Sequence, residues 1–170
     1  VSGVLVFAKN KKAAADLSNQ ISNGTMKKFY YALIYGTPIR ERDTLEDYLY
    51  KDGRENLSIV VNATFPDAKK AILNYRHCST LMVLEEGEEV SLMEIELLTG
   101  RHHQIRCQLA SIGCPIKGDL KYGARRSNPD GSISLVSANI TFVHPVSKQL
   151  MSFDAILPDE PLWRGIVRNA

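Results

Sequence analysis

Cysteine is scarce in this 170-residue chain: three residues, Cys78, Cys107 and Cys114, at irregular spacing. An odd count argues against the disulfide framework that staples small secreted domains. The thiols read instead as small buried side chains in a reducing, cytoplasmic setting. No apolar run approaches the ~20 residues that a membrane-spanning helix needs, and no secretory signal is visible. Charge of one sign is lacking as well, with 21 Lys+Arg against 19 Asp+Glu and a net of +2. Bulk charge therefore selects no partner, and a nucleic-acid site has to come from local clustering. An initiator methionine is absent too. The chain opens Val1-Ser2-Gly3 and passes at once into Val4-Leu5-Val6-Phe7-Ala8. A domain rarely opens inside a core strand, so the reading is one domain over 1–170 that is incomplete at its N-terminus. What is present, 44% hydrophobic and 24% charged residues, is the composition of a soluble globular domain.

Along the chain, Val4–Ala8 is expected to be a buried strand. Asn10 caps a helix through Ala13, Leu17 and Ile21 that ends near Asn23-Gly24. Phe29–Tyr35 reads as a strand closed by Gly36. The polar stretch Thr37–Arg54 reads as a loop with a short extended piece. Further strands are expected at Ser58–Ala63, Lys69–His77, Thr80–Glu85 and Glu89–Leu98, with turns at Asp67-Ala68 and Glu86-Gly87. A helix follows with Ile105, Leu109 and Ile112 on one stripe, stopping at Gly113. Leu120–Asn128 is a basic loop, Ser134–Val143 and Gln149–Leu157 are strands, and Leu162–Val167 is a short helix. Strands dominate and helices flank them. The fold class is α+β with a mainly antiparallel mixed sheet and a central cleft.

The densest chemistry is Thr99-Gly100-Arg101-His102-His103-Gln104-Ile105-Arg106, two arginines and two histidines with no carboxylate among them. It lies where a strand ends and a helix begins, a junction rich in unpaired backbone N–H groups. Arg101, His102 and His103 are expected in the first turn, with Arg106 one turn after His102. Such a corner suits a phosphate or another anion, and a solvated helix start is the plain alternative. Metal ligation is disfavoured, because adjacent histidines on a helix point apart and no metal-binding spacing occurs. Lys27-Lys28-Phe29-Tyr30-Tyr31 sets cations beside aromatics, as a nucleotide site does. In a strand, Phe29 and Tyr31 share one face and Tyr30 takes the other, toward a cleft. Lys121, Arg125 and Arg126 add a third basic group. The three groups are expected to form one surface.

These residues carry a family resemblance. Thr99-to-Gly123, "TGRHHQIRCQLASIGCPIKGDLKYG", resembles the T-G-R-T-H-Q-I-R … G-D-x-x-Y-G signature of RluA-type RNA pseudouridine synthases. "KFYYALIYG", "ITFVHPVSKQLMSFDAILP" and "VSGVLVFAKNKKAA" resemble further segments of that family in the right order. Departures are His102 for the usual Thr, Gln108 where His is frequent, and Val136-Ser137 for His-Ala. The resemblance implies isomerisation of uridine to pseudouridine in ribosomal or transfer RNA, by a flipped base and a nucleophilic Asp, without a cofactor. That Asp belongs to an H-R-L-D motif whose place falls upstream of Val1. Asp16, Asp43, Asp47 and Asp119 do not match it, and Asp119 reads as a structural cap. By the same resemblance, Tyr30 and Arg106 are the catalytic residues present. Arg106 would be the partner of the upstream Asp and would lack a carboxylate in this chain. Lys28, Arg101, His102, His103, Gln104 and Lys121 would contact RNA. Two other readings remain: a non-catalytic RNA-binding module, and a metal-dependent phosphodiesterase built on the His pair.

Overall fold

The computed structural model describes residues 1–83 and 87–167. The elements are β1 (Ser2–Gly3), α1 (Lys11–Ser22), β2 (Lys27–Tyr35), β3 (Arg42–Asp52), β4 (Leu57–Val61), β5 (Lys69–Val83), β6 (Glu88–Leu97), α2 (Gln104–Ser111), a 3-10 turn (Leu120–Tyr122), β7 (Leu135–Val143), β8 (Leu150–Asp154) and α3 (Pro161–Val167). One sheet takes the order β1-β7-β2-β6-β5-β3-β4, with β8 also on β7. Every pairing is antiparallel except β1 with β7. The fold is α+β with a mostly antiparallel sheet, as expected. No helix among the described residues is long and apolar enough to cross a membrane.

Period-two alternation along β2 decides what each sheet face carries. Ala32 and Ile34 join Met93, Ile95 and Leu97 of β6, and this layer is covered by Ile105 and Leu109 of α2. Leu33 joins Val90, Leu92 and Val136 on the other face under Trp163 of α3. Lys28 lies opposite Ile140 of β7, and Ile140 packs with Leu17 of α1. Directly opposed residues point the same way. Hence α1 and α2 cover two parts of one face, and Lys28 and Tyr30 lie on the strip between them. A bulge in the β2–β7 pairing, between Phe29 and Tyr30, brings Tyr30 opposite Ser137.

Three expectations are corrected. Val4–Ala8 is not a buried strand: Leu5 and Phe7 are 73% and 84% exposed, and only Val4 and Val6 pack inward. The strand lies just before it, where Gly3 (φ +117°) meets Ser137 so closely that a Cβ would collide with the Ser137 backbone. Thr37–Arg54 is not a loop, because β3 occupies Arg42–Asp52 between β5 and β4. Lys69–His77 and Thr80–Glu85 are one strand, β5, kinked by a register shift between His77 and Ser79. The end of that second stretch, at Glu85, and the Glu86 side of the expected turn lie outside the described residues.

Candidate RNA-binding site

Helix α2 begins at Gln104, after all three residues expected in its first turn. His103 is the residue before the helix and holds a left-handed conformation (φ 48°, ψ 28°). Arg101 and His102 therefore precede the helix rather than decorate it. Gln104 organises the corner. Its Oε1 accepts from Thr99 Oγ1 (2.7 Å) and from the Arg101 backbone N–H (3.0 Å), while its Nε2 donates to the Ile72 carbonyl (3.1 Å) and to Gln108 Oε1 (3.0 Å). Gln104 is 2% exposed. Its expected contact with RNA is corrected: its polar atoms are spent on the frame. Gln108, wholly buried, donates to Asp47 Oδ2 (2.7 Å) and ties α2 to β3.

The carboxylate missing from the motif is Asp119. Arg106 donates from Nε to Asp119 Oδ2 and from Nη2 to Oδ1, both at 2.6 Å, the two-point fork of a guanidinium on a carboxylate. The side chains are 17% and 1% exposed. Arg106 Nη1 meets His103 Nε2 at 2.9 Å, and the guanidinium lies 4.8 Å from the Tyr122 ring centre. The expectation that Arg106 stands without a carboxylate is thus overturned. Asp119 sits thirteen residues on, across the α2 turn, and all three guanidinium nitrogens are already engaged.

Because arginine only donates, His103 Nε2 must accept. The proton of neutral His103 then sits on Nδ1, which donates to Tyr122 Oη at 3.1 Å. Tyr122 Oη also accepts from the Ser58 backbone N–H (2.7 Å). Burial and the Arg106 charge push His103 down to about 4. His103 is therefore neutral near pH 7, with both ring nitrogens committed inside the protein.

His102 differs. Its ring stacks on His103 at 3.8 Å between centres. Ser58 Oγ donates to the His102 carbonyl (2.6 Å), so it accepts from His102 Nδ1–H (3.1 Å). Nε2 has no partner among the described residues. Burial and nearby Lys51, Arg106 and Lys121 lower its pKa. Arg101 is exposed, and among the described residues its side chain is fastened only through Nε, which donates to the Lys70 carbonyl at 2.9 Å.

Tyr30 is half-buried against the α2-covered layer. Burial raises its phenol above the usual value, opposed by the Ser137 side chain. Burial lowers the Lys28 ammonium. Lys28 Nζ lies beside Gly100, 3.4 Å from where a Cβ would stand. Tyr30, Lys28, Gly100, Arg101 and His102 thus succeed one another along one face. The third basic group is split: Lys121 Nζ donates to the Glu55 and Asn56 carbonyls at the β3–β4 tip (3.0 and 3.3 Å), while Arg125 pairs with Glu88 (3.0 Å). The expected single basic surface is corrected accordingly. Sequence reasoning missed Lys51, Ser58, Lys69 and Tyr122, which only chain folding brings to this corner. Among the described residues no group of three or more His, Cys, Asp or Glu could hold a metal ion.

The RNA pseudouridylate synthase family model matches residues 1–111. An uncharacterized RNA pseudouridine synthase of Bacillus subtilis, YlyB, is 33% identical over 159 residues, covering 94% of this chain and 50% of that protein. The ribosomal large subunit pseudouridine synthase D of Nitrosomonas europaea is 34% identical over 169 residues, covering 94% and 46%. The human RNA pseudouridylate synthase domain containing 1 superposes with a TM-score of 0.69 at 21% identity, covering 94% of this chain and 64% of that one, and shows the shared fold. The chain thus spans about half the length of the curated relatives it matches. On these matches the chain belongs to the RNA pseudouridine synthase family, with RluA-type enzymes among its relatives.

Proposed function

We propose that the protein carrying this chain isomerises uridine to pseudouridine in structured RNA, and that the Tyr30–Lys28–Gly100 strip is its catalytic floor. The observation that carries this reading is the juxtaposition of Tyr30 with Lys28 and the Thr99–His102 corner on one sheet face. Ribosomal RNA is the favoured substrate over transfer RNA, because the Nitrosomonas europaea relative is named for the large ribosomal subunit. The proposed setting is the cytoplasm.

The reaction breaks the bond from C1′ to N1, turns the uracil and joins C1′ to C5. N1 gains a proton and C5 loses one. The uridine has to leave its stack to present both ring edges. Tyr30 is held as a neutral phenol. It packs against the extruded ring, and its hydroxyl can pass on the C5 proton without a change of net charge. Lys28 and Arg101 meet phosphates.

The nucleophilic carboxylate comes from the segment upstream of Val1. Asp119 does not replace it, since both its oxygens hold Arg106 and 1% of its side chain is exposed. Residues 1–170 alone therefore bind RNA without turning it over.

The test is tritium release from RNA carrying 5-tritiated uridine. The full-length protein should release tritium, residues 1–170 should not, and full-length Tyr30→Phe should lose roughly 10²–10⁴ in rate while keeping its RNA affinity. Turnover by residues 1–170 would show that the acid is misplaced. RNA binding by the full-length protein without release would leave the RNA-binding module as the surviving reading.

A further inference from the structure

Beside Gly100 the same face opens into a groove of about 420 Å³ between β3, β4 and the α2 corner, lined by Tyr50, Lys51, Ser58, Lys69, Arg101 and His102. Asp67, at a left-handed turn (φ 59°), is the one carboxylate in its wall. Against it stand three cations. Lys51 and Lys69 have no side-chain partner among the described residues, and neither does either terminal nitrogen of Arg101. The Nε bond to the Lys70 carbonyl aims the Arg101 fork without occupying it.

His102 adds a directional group. Its Nδ1–H is fixed on Ser58 Oγ, because Ser58 spends its own proton on the His102 carbonyl. The ring is pinned further by stacking on His103. Burial, and then Lys51, Arg106 and Lys121, disfavour a second proton, so Nε2 is an acceptor without a partner among the described residues, on a side chain lining a groove whose other polar groups are mostly donors. Cations suit phosphate, whereas a fixed neutral acceptor is matched by an N–H on a base edge. Uracil offers only N3–H, set between two carbonyl oxygens whose lone pairs face the same side. Adenine and cytosine each present an exocyclic amino group with no carbonyl oxygen beside it: ring nitrogens flank it in adenine, and N3 on one side in cytosine. Lys28 beside Gly100 connects this groove to Tyr30, so an occupant would be close in sequence to the target uridine.

Resting on the RNA reading above, we propose that this groove seats a nucleotide flanking the target, with Arg101 and Lys69 on its phosphate and His102 Nε2 accepting from the exocyclic amino group of a base other than uracil. His102 is then a specificity-determining residue.

The experiment measures anisotropy of the full-length protein on labelled poly(A), poly(C) and poly(U). Wild type should bind poly(A) and poly(C) about fivefold tighter than poly(U), the worth of one net hydrogen bond. His102→Thr should bring that ratio close to one. His102→Gln keeps an acceptor at similar reach and should retain part of the preference. His102→Lys, which only donates, should turn the preference toward poly(U). Arg101→Ala should weaken all three polymers alike. A wild-type ratio near one, or a ratio that survives both His102→Thr and His102→Lys, overturns the inference and leaves the RNA reading standing. Failure to bind any polymer or structured RNA overturns both.

Discussion

Arg101 and Arg106 stand five residues apart and live in opposite surroundings. Arg106 has a two-point ion pair with Asp119, a contact to His103 and a ring beneath it. The exposed side chain of Arg101 has one backbone carbonyl as its partner among the described residues. The neighbouring histidines divide the same way: both nitrogens of His103 are bonded inside the protein, while Nε2 of His102, a groove-lining residue, has no partner among the described residues. The motif is two interleaved sets of residues. One set locks α2 against the 117–122 turn and the β3–β4 hairpin, and the other is held out by that lock. Whether a cation can serve RNA depends on whether the chain has already supplied its anion. Residue type alone does not decide it.

The largest effect should come from breaking the inner set. Asp119→Ala leaves a mostly buried guanidinium without its carboxylate, and removal of one partner of a buried pair costs about 3–5 kcal/mol. Urea unfolding of the purified chain measures it. Replacing both partners, Arg106→Met with Asp119→Leu, should return most of that loss, because no unpaired charge is then left behind. A stability change below about 1 kcal/mol in Asp119→Ala would mean that the lock is ornamental and the contrast between the two arginines empty.

How far the sequence discloses this contrast can be judged from particular elements. Strands β2 and β6 and helix α2 are legible because their apolar residues recur at the right period, and those residues are the ones that pack. β3 is not legible. Arg42, Asp43, Glu46, Asp47, Lys51 and Asp52 hide the alternation, and its inward face holds Asp47 between Leu45 and Leu49. Asp47 is tolerated there because Gln108 of α2 donates to it, which a reading of β3 alone cannot reveal. In Val4–Ala8 the error is reversed, since an apolar run proved to be largely exposed. The motif itself was visible, as was Tyr30 on the face opposite Tyr31. The division of labour within the motif was not, because it is set by Asp119, Ser58 and Tyr122, which arrive from other elements.

A smaller effect is the pH response of the inner set. His103 is pushed down to about 4, against an ordinary value of 6.5. Between those two values the unfolded chain binds a proton that the folded chain refuses, so stability must rise with pH across that window. The gain is complete above about 6.5 and lost as pH falls toward 4; the full shift would be worth about 3 kcal/mol, and solvent screening of this partly exposed ring reduces it to on the order of 2 kcal/mol. His102, also lowered, adds in the same direction. Unfolding by urea at a series of pH values checks this, with His103→Gln flattening the slope. NMR titration of the ring assigns it directly. A ring that titrates near 6.5 would show that Arg106 does not press on His103 as the geometry requires.

The smallest effect belongs to the outer set and is read in RNA affinity. Each phosphate contact made by an unpartnered cation releases counterions, so the logarithm of affinity falls with the logarithm of salt in proportion to the number of contacts. Removing Arg101 should cost about tenfold in affinity at moderate salt, roughly 1.4 kcal/mol, and lower the salt slope by roughly one. Lys69→Ala should behave alike. Arg125→Ala should leave the slope unchanged, because Arg125 already pairs with Glu88, away from the strip. Unfolding measured in parallel should show all three variants within about 0.5 kcal/mol of wild type, as surface changes are. That separates the outer set from Asp119→Ala, where stability falls first and RNA affinity follows. If Arg101→Ala left the salt slope intact while Arg125→Ala reduced it, the RNA would run along the Glu88 side of the sheet. Arg101 would then be a solvated side chain whose bond to the Lys70 carbonyl serves only the local backbone.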